Sequence, residues 1–138
     1  MAFIICVMEV ASLRVARACS SLDSHLAFYR DGLGMNVLGS FEGHAGYDGV
    51  MLGHDKLGFH LEFTVNRNNP NEQVRAPSSE SLLVFYFPTK EQYETVVERM
   101  KSHGYQPVSP ENPFWLNIST LFEDPDGYHV VLTDIQWK

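Results

Sequence analysis

The hydrophobic pattern of the first half of the chain predicts a strand, a helix and three further strands. Residues 11–18 form an apolar-rich extended run, and Ser21 follows as a candidate N-cap for a helix. The helix should end at Gly34, because glycine readily adopts the left-handed conformation that ends helices. Its apolar face recurs at helical spacing through Leu22, Leu26, Tyr29 and Leu33. The strand candidates, separated by glycines, are residues 36–41, 47–52 and 58–65.

The second half of the chain repeats this order. Residues 66–80 are polar and rich in Asn and Pro, which predicts a linker. The strand-forming run SLLVFYF follows, then a helix with Thr89 as its cap and Gly104 as its end. The apolar face of that helix is Tyr93, Val96, Val97 and Met100, and further strands are predicted at residues 106–108, 116–123 and 128–134. Ser12, Leu13 and Val15 match Ser81, Leu82 and Val84 at a constant offset of 69.

The repeat predicts one α+β domain over residues 1–138, with a βαβββ module at residues 11–65 and another at 81–134. The run SLLVFYF is apolar on both faces of its strand, so we expect both faces of its sheet to be covered. A cleft between two curved sheets would meet this need, and such a cleft is the first place to expect a ligand.

Composition narrows the class of partner. The chain has 138 residues and a formal net charge of −7, and it lacks the clusters of Lys and Arg that attract phosphate groups. We therefore expect small molecules or proteins as partners, with no nucleic acid and no membrane. The opening run MAFIICVM has no basic leader and is too short to span a bilayer, so no export signal is expected. Two cysteines, Cys6 and Cys19, are too few for a disulfide framework, which favours a reducing cytoplasm.

Several short motifs occur together along the chain. They are Leu22-Asp23, Phe28-Tyr29, Gly32-Leu33-Gly34, His60-Leu61-Glu62-Phe63 and Glu123-Asp124-Pro125-Asp126-Gly127-Tyr128. In this combination the chain resembles the vicinal oxygen chelate superfamily, which includes glyoxalase I, bleomycin-resistance proteins, fosfomycin-resistance enzymes and extradiol dioxygenases. The resemblance implies that two βαβββ modules form a half-open barrel with a cleft. It also implies a homodimer and a divalent metal held by four inward residues.

The four metal positions that the resemblance implies fall on Arg14, Glu62, Leu82 and Val131. Only Glu62 can ligate, and a catalytic divalent ion needs about three protein donors. We therefore expect no family metal and no cofactor, although a metal site made from His60, Glu62 and His129 remains an alternative. If the family geometry is kept, Arg14 should contact Glu62 on the cleft floor and occupy the place of the ion. The alternative is that Arg14 points outward from the edge of the sheet.

The remaining ligand-binding candidates are His60, which shares a strand face with Glu62, and the residues Tyr47, Met51, Trp115 and His129. Trp115 is expected to border the opening of the cleft and stack on an aromatic compound. For each apolar candidate the alternative is an ordinary place in the core, and for His129 it is exposure to solvent. His25 and His103 are expected to have only surface or packing roles.

These observations favour a protein that binds a small organic molecule, aromatic compounds included, for resistance by sequestration. One alternative is a glyoxalase-like lyase or dioxygenase-type enzyme with an atypical site, in which Glu62 is the catalytic base. Another is a protein-interaction module whose cleft is filled by its own side chains. Because one fold hosts many chemistries, the residues of the site have to decide between them.

Overall fold

Two small β-sheets, one from each half of the chain, form the framework of the α+β fold. The computed structural model describes residues 7–70 and 73–137. Sheet A contains β1 (Leu13–Ala18), β2 (Asn36–His44), β3 (Tyr47–Gly53) and β4 (Phe59–Asn66) in the order β1-β4-β3-β2. Sheet B contains β5 (Leu82–Tyr86), β6 (Thr120–Glu123) and β7 (His129–Thr133) in the order β5-β7-β6. Strands β1 and β4 are parallel, as are β5 and β7, and the other pairs are antiparallel.

The first helix begins at the predicted cap. The Ser21 side chain accepts a hydrogen bond from the Ser24 amide at 3.2 Å, which satisfies one of the unpaired amides of the first turn. The helix α1 (Leu22–His25) then widens into a π-helix over Leu26–Gly32. The chain leaves the helix through Gly34 at φ +87°, as the sequence predicted.

The second helix also has the predicted ends. Thr89 accepts from the Gln92 amide at 3.2 Å and caps α2 (Lys90–Ser102). Gly104 follows the helix with φ +90°. Val97 and Met100 are buried, and Tyr93 and Val96 are partly buried against the same core, so all four apolar residues found from the spacing lie on the packing face of α2.

The strand predicted at residues 106–108 does not form, and this part of the expectation is wrong. Only Val108 pairs, in a single isolated bridge with Leu121. Pro107 and Pro110 lie on either side and have no amide hydrogen to give to a ladder. The last hairpin is also shorter than predicted, because a 3-10 turn occupies Pro113–Trp115 and β6 begins only at Thr120.

The main core joins both halves of the chain. Phe28 and Tyr29 from the first helical segment and Phe63 from β4 pack in one buried cluster with Met100 from α2 and Leu132 from β7. A second, smaller cluster of Trp115, Leu121 and Val131 covers the other face of sheet B. Sheet B is therefore covered on both faces, as the run SLLVFYF predicted.

Two regions of the sequence fall partly outside the described residues. The opening run MAFIICVM lies outside them up to residue 6, and the predicted linker lies outside them at residues 71–72. Within residues 7–70 and 73–137, no helix is long and apolar enough to cross a membrane.

Candidate functional site

One open face of sheet A gathers five of the seven sequence candidates. Along β4 the side chains alternate, with Leu61 and Phe63 in the core and His60 and Glu62 on the opposite face. The strand register then places further residues on that same face. We call it the sheet A face and define it by Arg14, Phe41, Tyr47, Met51, His60, Glu62 and Thr64.

The polar end of the sheet A face is held together by Arg14. Its Nε donates to His60 Nε2 at 2.9 Å, and its Nη1 donates to Glu62 Oε2 at 3.4 Å. The predicted contact between Arg14 and Glu62 is thus confirmed, whereas its place on the floor of a cleft stays a prediction. The Arg14 side chain is 49% exposed and the Glu62 side chain 15% exposed, so the guanidinium shields the carboxylate from solvent. Because the Arg14 half of this ion pair is open to water, the pair contributes only about 0–1 kcal/mol to stability.

The apolar end of the sheet A face is built on glycines. Met51 lies beside Glu62 in the strand register, and its methyl group fills the space where Gly39 would carry a Cβ. The Phe41 ring lies in the same way over Gly49. The missing Cβ atoms therefore let two large apolar side chains lie flat on the sheet.

Gly49→Ala should displace the Phe41 ring and lower the free energy of unfolding by about 1–3 kcal/mol, because the new methyl group would occupy the position of the ring. Gly58→Ala is a matched control, since a Cβ there meets nothing within 4 Å. Urea denaturation of the three proteins measures the difference. Equal stabilities for the two variants would show that Phe41 does not need the space above Gly49.

The face of sheet B that packs in the Trp115 cluster, called its inner face below, is covered by side chains, in contrast to the sheet A face. Leu82 and Val131, two of the positions implied for the metal, pack in the apolar cluster around Trp115. Trp115 was expected to border an opening, but its ring is buried, and its neighbour Phe114 is exposed instead. The reason is that residues 113–119 fold back over the sheet, where Thr133 Oγ1 donates to the Ile118 carbonyl at 2.6 Å. A role for Trp115 in ligand binding stays a prediction.

His129 lies on this same inner face and is also buried. Its Nε2 is 3.5 Å from Glu123 Oε1, whereas its Nδ1 has no hydrogen-bond partner. This nitrogen is the one buried side-chain polar atom without a partner in the described part of the chain. Leaving such an atom unsatisfied costs about 1–3 kcal/mol, so any polar group that reached the inner face of sheet B would gain by bonding to it.

The residues at the family's metal positions do not fit a divalent ion. Leu82 and Val131 have no atom that can ligate a metal, and both lie in an apolar cluster. The Arg14 guanidinium has only N–H groups and no free electron pair to give to a metal, and it forms a hydrogen bond with Glu62, the one possible ligand. Among the residues the structure describes, no three His, Cys, Asp or Glu side chains are grouped so that they could hold a metal. The alternative site of His60, Glu62 and His129 is not brought together either. His60 and Glu62 both accept hydrogen bonds from Arg14, whereas His129 lies next to Glu123 on sheet B.

A buried polar cluster links the two halves of the chain, and sequence reasoning missed it. We call it the polar junction and define it by Arg17, Ser20, His25, Tyr29, Asp124 and Asp126. Asp124 Oδ2 accepts from the Tyr29 hydroxyl at 2.6 Å and from Arg17 Nη2 at 3.2 Å. Asp126 accepts from the Ser20 amide at 2.9 Å and from the Ser20 hydroxyl. The turn motif EDPDGY therefore both makes a hairpin and anchors the first helix.

Burial controls the protonation chemistry of the polar junction. His25 is almost fully buried, and this loss of water lowers its pKa, although Asp124 and Asp126 attract a proton and oppose the shift. Burial raises the pKa of Tyr29 well above its ordinary value, and it raises the pKa of the Cys19 thiol to about 12. Cys19 is therefore an unreactive thiol.

Two apolar hollows lie between the halves of the chain. An apolar groove of about 530 Å³ runs between β1 and β5, and it is lined by Leu13, Val15, Leu83, Phe85 and their neighbours. A smaller cavity of about 180 Å³ lies beside it and shares Phe59 and Phe85 with the groove. Strands β1 and β5 each pair on one side only, so the groove lies between two open sheet edges.

Comparison with known proteins assigns the chain to a family. Residues 13–64 match the family model of the YycE-like N-terminal domain, and residues 80–134 match that of the YycE-like C-terminal domain. The YycE protein of Bacillus subtilis strain 168 is 41% identical over 123 residues, which cover 89% of this chain and 87% of that protein. A solved structure of a YycE protein of unknown function from Bacillus subtilis is 39% identical, covers 94% of this chain and 93% of its own, and superposes with a TM-score of 0.82.

More distant solved structures share the fold. Trypanothione-dependent glyoxalase I of Leishmania major is 21% identical, with 88% of this chain and 84% of its own covered and a TM-score of 0.66. TnmS3, an antibiotic-binding protein from Streptomyces sp. CB03234, is 16% identical, with 96% and 100% covered and a TM-score of 0.61. The chain therefore belongs to the YycE-like family, and its fold is that of the vicinal oxygen chelate superfamily of glyoxalases and bleomycin-resistance proteins.

Proposed function

We propose that this protein binds a small organic molecule on the sheet A face, without a catalytic metal, and acts in resistance by sequestration. The observation that carries the proposal is that one open face presents both polar and apolar side chains. Arg14, His60 and Glu62 form a hydrogen-bonded polar group there, and Met51 and Phe41 lie flat on the sheet beside it. Ligand sites typically combine apolar walls with a few placed polar groups. The antibiotic-binding protein TnmS3 shares the fold, which supports the same general use of it here.

A thermal-shift screen of small aromatic compounds tests this proposal. A compound that binds the native state raises the midpoint of unfolding, by an amount set by its concentration and its Kd. Met51→Lys places a charge in the middle of the sheet A face and should abolish the shift. Val37→Lys on β2 is the control, since Val37 is exposed and lies outside the face. A compound that stabilised the wild type and Met51→Lys equally would bind elsewhere and contradict the proposed site.

The metal-free part of the proposal rests on the chemistry of the donor set. With Arg14, Leu82 and Val131 at three of the four family positions, one carboxylate is left to hold an ion. We expect elemental analysis of the purified protein to find far less than one transition metal per chain. About one metal per chain, retained after dialysis against a chelator, would support the rival enzyme with an atypical site.

We also propose a homodimer that forms through the apolar groove. Leu13 on β1 and Tyr86 on β5 are both exposed on its margin, which leaves apolar surface beside two open sheet edges. A second copy would cover both the surface and the edges.

A buried, unreactive Cys19 is consistent with our proposal of a reducing cytoplasm as the site of action.

Leu13→Asp should convert the dimer to a monomer, because it places a charge in the groove. Leu38→Asp is the matched control, since Leu38 on β2 is 46% exposed and Leu13 is 57% exposed. Light scattering at micromolar concentration measures the mass of the wild type and of each variant. A wild-type mass of one chain would contradict the dimer, and a Leu13→Asp dimer would place the interface elsewhere.

A further inference from the structure

The hydrogen bond between Arg14 and His60 fixes where His60 carries its proton. Arg14 Nε always bears a hydrogen and can only donate, so His60 Nε2, at 2.9 Å, must be the acceptor. The hydrogen of the ring therefore lies on Nδ1. Turning the ring over would bring a carbon against the Arg14 N–H and lose the bond, so this orientation is the favoured one.

The polar end of the sheet A face is consequently rich in donors. The guanidinium has five N–H groups, and the bonds to His60 and Glu62 use two of them. His60 adds its Nδ1–H. The acceptors of this group, His60 Nε2 and Glu62 Oε2, are both already engaged by Arg14.

The difference in exposure decides which charge a ligand meets first. The Arg14 side chain is 49% exposed, whereas the Glu62 side chain beneath it is 15% exposed. A planar guanidinium presents two parallel N–H groups, and this geometry matches the two oxygens of a carboxylate. Met51 and Phe41 lie along the same face and can hold a flat ring.

We infer that the ligand of the sheet A face is a flat compound with a carboxylate, or an equivalent pair of adjacent acceptor oxygens, which binds Arg14 and the Nδ1–H of His60. This inference rests on the proposed function and names the class of molecule that the site selects. It makes Arg14 and His60 the residues that determine specificity, with Glu62 positioning Arg14.

The tautomer of His60 can be measured without any ligand. In protein labelled with ¹⁵N-histidine, the ring nitrogen shifts of His60 should be those of a neutral ring with its hydrogen on Nδ1, and His60→Gln identifies its signals. Arg14→Gln should shift the population toward the other tautomer. A wild-type ring with its hydrogen on Nε2 would overturn the inference and leave the proposed function standing.

Matched probes then test the choice of ligand group. Three probes carry the same benzene ring: benzoate adds a pair of acceptor oxygens, benzyl alcohol a hydroxyl, and benzamidine a pair of N–H donors. The NMR signal of the ¹³C-labelled Met51 methyl group reports the binding of each probe. At an ionic strength of about 0.15 M, which screens the distant charges of this acidic chain, benzoate should bind at least about tenfold more tightly than benzamidine.

Two variants that each remove one positive charge distinguish binding at Arg14 from a general effect of the net charge of the protein. Arg14→Gln should weaken benzoate binding by about tenfold or more, whereas Arg67→Gln should leave it unchanged. Arg67 is a matched control because its side chain is 51% exposed and paired with Asp48. Tighter binding of benzamidine, or no response of Met51 to benzoate, would overturn the carboxylate class. Binding of other compounds to the wild type in the thermal-shift screen would still support the proposed function.

Discussion

Asp124→Ala should lower the free energy of unfolding by about 3–5 kcal/mol, the range seen when one partner of a buried charge pair is removed. The Asp124 carboxylate accepts from Tyr29 and Arg17, and also from the amides of Asp126 at 2.8 Å and Tyr128 at 3.0 Å. Removing it leaves four donors without their acceptor. The Arg17 guanidinium, largely buried over the Tyr128 ring, would then lack its opposite charge.

Urea denaturation of the purified variants measures this loss. Asp124→Asn keeps the shape of the side chain and should fold even if Asp124→Ala does not, with a smaller loss of stability. Asp55→Ala is the control, because that carboxylate is exposed and its removal should change stability by less than about 0.5 kcal/mol. A loss below about 1 kcal/mol for Asp124→Ala would mean that the polar junction does not hold the two halves together.

Acidification should destabilise the protein through His25. Burial lowers the pKa of His25 in the folded state below the ordinary value of 6.5, which the unfolded chain keeps. The unfolded state therefore binds the proton first, and stability that is fully present above about pH 6.5 is lost as the pH falls toward the folded pKa. One such proton lowers the free energy of unfolding by at most about 1.4 kcal/mol per pH unit.

Urea denaturation at pH 7.5, 6.5 and 5.5 tests this prediction, with His25→Phe as the variant. Phenylalanine keeps a ring beside Phe63, whose centroid lies 4.6 Å from that of His25, but it cannot be protonated. The other charged or titratable groups around His25 are Asp124, Asp126, Arg17 and Tyr29. The His25→Phe protein should lose less stability between pH 7.5 and 5.5 than the wild type. His54→Gln is the control, and because His54 is exposed, this protein should lose as much stability as the wild type. Equal losses in wild type and His25→Phe would contradict the assignment.

The parts of the fold that the sequence predicted are those with local causes. Ser21 and Thr89 cap the helices because their hydroxyls accept from amides three residues ahead, and Gly34 and Gly104 end them because positive φ suits glycine. The Arg14–Glu62 contact was predictable as well, since the resemblance placed both residues at positions that converge on one metal ion, and the structure shows their side chains in contact. Each of these needs only neighbours in the chain or a known register.

The parts that the sequence did not predict depend on contacts between distant segments. Trp115 was expected at an opening, but residues 113–119 fold over sheet B and bury it. Asp124 and Asp126 read as turn residues, and nothing local indicates that they accept bonds from Tyr29 and Ser20, about a hundred positions earlier. The weak signal was two acidic residues beside a proline, in a chain whose first helix carries a histidine and a tyrosine. Only the packing of the two halves gives them this role.

The most direct test of the proposed site is to map where small molecules bind, by NMR shifts of the wild-type protein against a library of small aromatic compounds. The proposal predicts that the shifts concentrate on the sheet A face, at Arg14, Met51, His60 and Glu62, for the compounds that bind. The result that would contradict it is a library whose binders leave these residues unchanged and shift only the apolar groove around Leu13 and Phe85 or the cavity beside Phe59.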